Sequence, residues 1–386
     1  MTRKREPHQD PPLIGSDVDE PTSSHTSTLS RARRNADVAE GHIRHRLERA
    51  PTTAAIDITK HLPEVEAPSL EDLSVTVPAP ALVSPEQILA RFSELRRARA
   101  EVQERREGEP VEPGDEVLVD LVGYHAGRVL PFSVRTRRWL FLDARTEPPG
   151  LVEGLVGTPV GSSTTVEATL SDTHPTPALE GARSVFAITL HAARKVSLPD
   201  ETDPVLLDDI GLGASLEETM DGIARMLEDE LIPQLYEEAR QLVLDEVGLR
   251  ARMDLPELLI DEEIRRRWHE REGRHLVSMG VSLEDQEAAL SAWRSDSGTR
   301  AEVERSLRVS LSLGAIAKRD GIVVDKEALL AYLEGMAEGA SVPLSDLVDA
   351  VRQDPSLQKL LSDKLLHLLT VEHVMRCAEV RFEGAS

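Results

Sequence analysis

Val117-Leu118-Val119-Asp120-Leu121-Val122-Gly123 opens the only stretch, Val117 to Arg194, in which strand-like segments follow one another closely. Branched side chains at alternating positions suit a pleated, half-buried surface, so the run is predicted to be a strand. Pro149-Gly150-Leu151-Val152-Glu153-Gly154-Leu155-Val156-Gly157 reads as a turn, a short helix and a glycine stop. Thr164–Leu170 and Ser184–His191 alternate with period two and complete a small β-rich module.

Working outward, Pro113-Gly114-Asp115 is the turn into this module. Before it, Leu73–Pro78 reads as a short strand. Ser84-Pro85-Glu86-Gln87 carries a cap, a first-position proline and a glutamine three residues on, the marks of a helix start. Ile88, Phe92, Leu95 and Val102 then define one apolar face. Residues 1–62 mix Pro, Ser, Thr, Arg and Asp with few large apolar groups, too little to offset ordering entropy, and are predicted to be a disordered tail.

After the Leu198-Pro199-Asp200 linker, apolar residues recur every three or four positions from Leu216 to Val247. A long helix is expected there, interrupted or kinked at Pro233 and ended by Gly248. Further helices follow Pro256, Ser282, Asp325, Ser345 and Pro355, the last running through Val380. Residues 200–382 thus read as helical throughout. The fold class is α+β and multidomain: a tail (1–62), a linker strand and helix (63–112), a small antiparallel module (113–196), a large all-α region of extended arms (197–382) and a short tail (383–386).

The 386 residues carry 69 Asp+Glu against 45 Lys+Arg, a formal net charge of −24. That balance opposes nucleic acid as a partner, because phosphate binding needs clustered cations. Aromatic content is only 3%, so the cores must be aliphatic. The single cysteine, Cys377, excludes an internal disulfide framework and lies on an apolar helical stripe, which predicts a buried thiol. No apolar run approaches the ~20 residues of a membrane span, and no secretory signal is present, so a cytoplasmic protein without membrane contact is expected. His269/His275 and His367/His373 lack helical zinc spacing, and no phosphate loop or nucleophile elbow occurs, so neither metal nor cofactor is expected.

The order of elements resembles the trigger factor family. Its isomerase module, of FKBP type, has Asp-Phe-x-Gly, Pro-Gly-Phe-Glu-x-Gly-Ile-x-Gly and Lys-Phe-x-Ile-x-Leu segments. Here they read Asp120–Gly123, Pro149–Gly157 and Ser184–Leu190. The family's Val-Pro-x-x-Leu-Ile-Asp-x-Glu-Ile pattern reads Leu255–Ile264, and Pro63-Glu64-Val65-Glu66 fits its linker. The resemblance covers residues 63–382. The ribosome-docking loop, Gly-Phe-Arg-x-Gly-x-x-Pro, is absent, so the ribosome-binding domain is expected to be lacking and docking by the usual loop is not expected.

The resemblance implies a prolyl cleft whose positions fall on Leu121, Leu130, Leu151, Thr173 and Phe186. The acidic rim position falls on Pro131, and two aliphatic positions on Glu147 and Pro148. Only Phe186 keeps an aromatic ring; Trp139 and Phe132 lie near in sequence as substitutes. An aliphatic cleft stacks poorly on a prolyl ring, which implies weak or lost peptidyl-prolyl isomerase activity. The helical region implies a cradle for unfolded or nascent polypeptides, with Leu258, Met279, Trp293, Tyr332 and Met336 as apolar contacts. The expectation is an ATP-independent chaperone. An active isomerase assisting folding and a non-catalytic scaffold for one partner are the alternatives, and assembly as a homodimer is left open.

Overall fold

The structure, a computed structural model, describes residues 62–143, 148–172 and 179–383. The N-terminal tail expected up to Leu62, and Glu147 and Thr173, fall outside the described residues, Leu62 itself excepted. Packing divides the described chain into two compact units: Val323–Leu368, and residues 62–322 with 369–383.

The larger unit begins with β1 (Ser74–Val77) and α1 (Pro85–Arg97). Ser84 Oγ accepts from Gln87 N–H and the Gln87 side chain accepts from Ser84 N–H, a reciprocal cap that fixes the start of α1. The helix ends at Arg97, and the chain re-forms as β2 (Glu101–Glu104), so Val102 is a strand residue and 51% exposed rather than on the helical face.

β2 joins a six-stranded sheet with β3 (Asp115–His125), β4 (Arg128–Val129), β5 (Arg135–Phe141), β6 (Ser163–Thr169) and β7 (Arg183–Ser197). β7 pairs antiparallel with β2, β3 and β6, and β3 also pairs with β4 and β5. Period-two patterning turns Val119 and Leu121 of β3, Val166 of β6 and Phe186, Ile188 and Leu190 of β7 to one face. There they pack on Leu151 and Leu155 of α2 (Leu151–Leu155). Each such burial contributes roughly 1.5–3 kcal/mol. The pairing of β3 with β5 slips between Val119 and Leu121, and Asp120 Oδ1 accepts the N–H of Arg137, a residue at φ 49°, across the slip.

Next come α3 (Pro204–Ile210), α4 (Leu216–Arg250), α5 (Glu257–Trp268), a π-helical turn (His269–Gly273), α6 (Arg274–Ser278), α7 (Leu283–Ser295) and α8 (Ser297–Arg319). Ser215, Ser282 and Asp296 cap three of them through N–H groups three residues on. α4 is not interrupted at Pro233, and Gly248 does not end it. Gly248 is buried within the helix, and a β-carbon there would meet Val309 Cγ2 at 3.1 Å, so its role is close packing on α8.

The smaller unit holds α9 (Lys326–Ala340), α10 (Leu344–Gln353) and the part of α11 (Pro355–Cys377) up to Leu368. Leu333, Val351 and Leu361 form its core. Asp325 caps α9; at α10 the cap position is Pro343, not Ser345.

The helical pattern does not extend to residue 382. α11 stops at Cys377, and β8 (Glu379–Phe382) pairs parallel with β1, Val75 opposite Val380. The pairing satisfies backbone groups that β1 would otherwise leave open. Beside it, Leu73, Val243, Val247, Leu313, Ile316, Val371 and Val374 share a core within the larger unit. Cys377 is exposed, contrary to the buried thiol its stripe implied.

Candidate functional site

The inner face of the sheet brings four of the five expected cleft residues together. Leu121, Leu130, Leu151 and Phe186 belong to one apolar cluster and are 7%, 3%, 1% and 4% exposed. Side chains so inaccessible serve as core. Aliphatic groups fill the space where aromatic rings would flank a ligand. Neither substitute ring joins them. Trp139 lies on β5 beneath Arg194, whose guanidinium carbon is 4.3 Å from the ring centroid, and Phe132 points to the opposite side of the module.

On that opposite face, β3, β4 and the loop before β5 meet the helices. Val122, Val129 and Val134 are buried in one cluster with Ile260, Ile264, Trp268, Leu276, Trp293 and Val303. Phe132 stacks on Trp293 with ring centroids 4.5 Å apart. The loop is tied internally by Ser133, whose Oγ donates to Leu130 O and accepts from Gly123 N–H.

The π-helical turn places Glu272 into this junction, where it is 2% exposed. One carboxylate oxygen accepts from Trp293 Nε1 at 2.9 Å, and the other from Val134 N–H at 3.4 Å. Burial pushes the Glu272 carboxyl above the ordinary glutamate range, partly offset by donors from Trp293, Val134 and Phe132 and by nearby Arg135. Gly273 follows because a β-carbon there would stand 2.8 Å from the Trp268 ring.

Beside the junction, a cavity of about 480 Å³ separates the outer sheet face from the α6–α7 corner, lined by Asp120, Val122, Ala187, Met279 and Val281 among others. Burial disfavours the Asp120 carboxylate, but Arg137 N–H and His191, 2.8 Å away, hold it below the usual aspartate range.

The helical candidates separate. Leu258 is 38% exposed on α5, Met279 is half-buried against the sheet face, and Trp293 is 2% exposed beneath Phe132 and Glu272, not part of an open surface. Tyr332 packs into the core of the smaller unit and Met336 is 37% exposed there. Other large apolar groups stand open on the helices, Val277, Leu283 and Tyr236 among them. Among the described residues no group of three His, Cys, Asp or Glu is placed to hold a metal, and no helix is long and apolar enough to cross a membrane. Glu272 and Phe132 escaped the sequence reading. Glu272 sits in a charge-rich run of surface type, and Phe132, two residues from Leu130, reads as a ring of the inner face.

The site therefore combines a small antiparallel module with helices that carry open apolar positions. The comparisons point one way: the chain is similar to bacterial trigger factors. The family described as "Bacterial trigger factor protein (TF) C-terminus" matches residues 215–376. A trigger factor of Methylobacterium sp. (strain 4-46) is 28% identical over 319 residues, covering 81% of this chain and 64% of the relative. One from Bacillus cytotoxicus is 27% identical over 305 residues, covering 78% and 70%. The chain thus spans about two thirds of the length of these relatives. A solved structure titled for promiscuous substrate recognition by the trigger factor chaperone is 19% identical, covers 81% of this chain and 73% of its own, and superposes with a TM-score of 0.32.

Proposed function

We propose that the chain is an ATP-independent, trigger-factor-like chaperone of the cytoplasm that binds unfolded or nascent polypeptides through apolar helical surface, with isomerase activity weak or lost. The observation that supports it most is the set of large apolar side chains left open on helices: Leu258, Val277 and Leu283 in the larger unit, Leu330 and Met336 in the smaller. Water penalises such surface unless a partner covers it, and scattered shallow contacts suit many partners weakly. The similarity to trigger factors points the same way. The burial of Leu121, Leu130, Leu151 and Phe186 favours this reading over that of an active isomerase.

The test is suppression of aggregation for several unrelated unfolded proteins, without nucleotide, by the full chain. Suppression of all at modest molar excess is expected. Protection of one client alone supports a dedicated scaffold instead, and protection of none overturns the proposal.

A further inference from the structure

We propose that the loop Pro131–Val134 of the β-module occupies, in cis, a polypeptide-receiving pocket of the helices, so that a client must displace the chain's own segment to bind there. The proposal rests on the chaperone reading above for the nature of the competitor.

The loop sits on the helices as a ligand would. Phe132 lies against the Trp293 ring, and Val134 enters the cluster of Ile260, Ile264, Trp268 and Leu276. The acceptor facing it is a backbone reader: Glu272 takes the N–H of Val134, a contact any extended segment could supply. Burying a carboxylate where an apolar residue would pack is costly, and here it is retained between the Trp293 indole and the backbone of the loop. Placing that carboxylate also takes a π-turn, a distortion that recurs at functional sites. Phe132 itself sits at φ +63°, a left-handed conformation that bulky residues rarely adopt, so leaving the pocket relieves backbone strain. The neighbouring cavity, with Val122, Met279 and Val281 in its walls, continues from the junction and gives an incoming segment room beside the loop.

The test is amide hydrogen exchange in the full chain, with and without saturating reduced, carboxymethylated α-lactalbumin as a permanently unfolded client. Exchange at Phe132, Ser133 and Val134 should rise about tenfold or more when the client binds, because protection there reports the closed loop. In parallel, client affinity is measured by fluorescence anisotropy for wild type and Phe132→Ala. Weakening the plug should tighten client binding by about tenfold, since the competent fraction rises. Client binding with unchanged loop exchange overturns the proposal and leaves the chaperone reading standing. Binding by Phe132→Ala alone supports a plug that closes the pocket fully. Binding by neither protein removes the proposal together with the chaperone reading. Should Phe132→Ala fail to fold, the wild-type exchange measurement decides by itself.

Discussion

Gly154 and Val166 approach so closely that a β-carbon built on the glycine would stand 2.2 Å from Val166 Cγ1. This contact seats α2 on β6 and closes the inner face of the sheet, where the cleft residues of an isomerase would otherwise lie open. Gly154→Ala is expected to destabilise the β-module by about 1–3 kcal/mol through overpacking. Gly335 in α9 is the contrast, since a β-carbon there meets nothing within 4 Å. Gly335→Ala should be neutral or stabilising by about 0.5–1 kcal/mol. Urea unfolding of both variants checks the pair.

Asp115 is 2% exposed and accepts from Arg105 Nε at 2.5 Å, from a second Arg105 nitrogen at 3.1 Å and from Glu112 N–H at 2.8 Å. Asp115→Ala removes the buried partner of Arg105 and of the Glu112 N–H, leaving the guanidinium with the mostly exposed Glu112 carboxylate 2.7 Å away. A loss of about 1–3 kcal/mol is expected. A double variant that also replaces Arg105 with Met should recover part of it, and equal losses in the single and double variants would rule out the pairing as the cause.

Prolyl isomerisation in a protease-coupled peptide assay should run close to the uncatalysed rate. Catalysis needs a bound prolyl ring held in an apolar, poorly hydrated site, and the residues at the family's positions are already packed against one another. Turnover comparable to an ordinary FKBP would contradict the filled cleft.

Glu272 makes stability depend on pH. Its carboxyl is held above the ordinary value of 4.5 chiefly by burial, so the folded chain binds this proton more tightly than the unfolded chain does. The folded state is therefore penalised increasingly as pH rises from 4.5 through the raised folded value. Glu272→Gln mimics the protonated acid. Its Tm is expected to match wild type near pH 4 and to gain on it progressively above that window. A Tm difference that does not vary with pH would show that the carboxyl does not titrate across folding.

Much of the fold was legible because its elements announce themselves locally. β3, β6 and β7 alternate cleanly, and most of the helices begin at a serine or aspartate whose side chain takes an N–H. β5 was not legible. Arg135-Thr136-Arg137-Arg138-Trp139 has no apolar face, because this strand lies largely exposed and is held by backbone pairing to β3. β8 was hidden for a related reason: Val380 continues the helical period, and only a partner far away in the chain, β1, makes it a strand. At the candidate site, the sequence pointed to Leu121, Leu151 and Phe186 as one group, which they are, but as core. Phe132, Glu272 and Trp293 share a junction that tertiary packing alone creates, and the π-turn that aims Glu272 has no short-range signature.

The ladder between Ser74–Val77 and Glu379–Phe382 has a bearing on biogenesis. Leu73 shares its core with Val371 and Val374, which are synthesised roughly 300 residues later. Contacts of such high sequence separation form slowly, and only after the whole intervening chain has been made. During its own translation this part of the molecule stays unfinished, an apolar half-core waiting for its other half, and so passes through the same exposed condition that its proposed clients present.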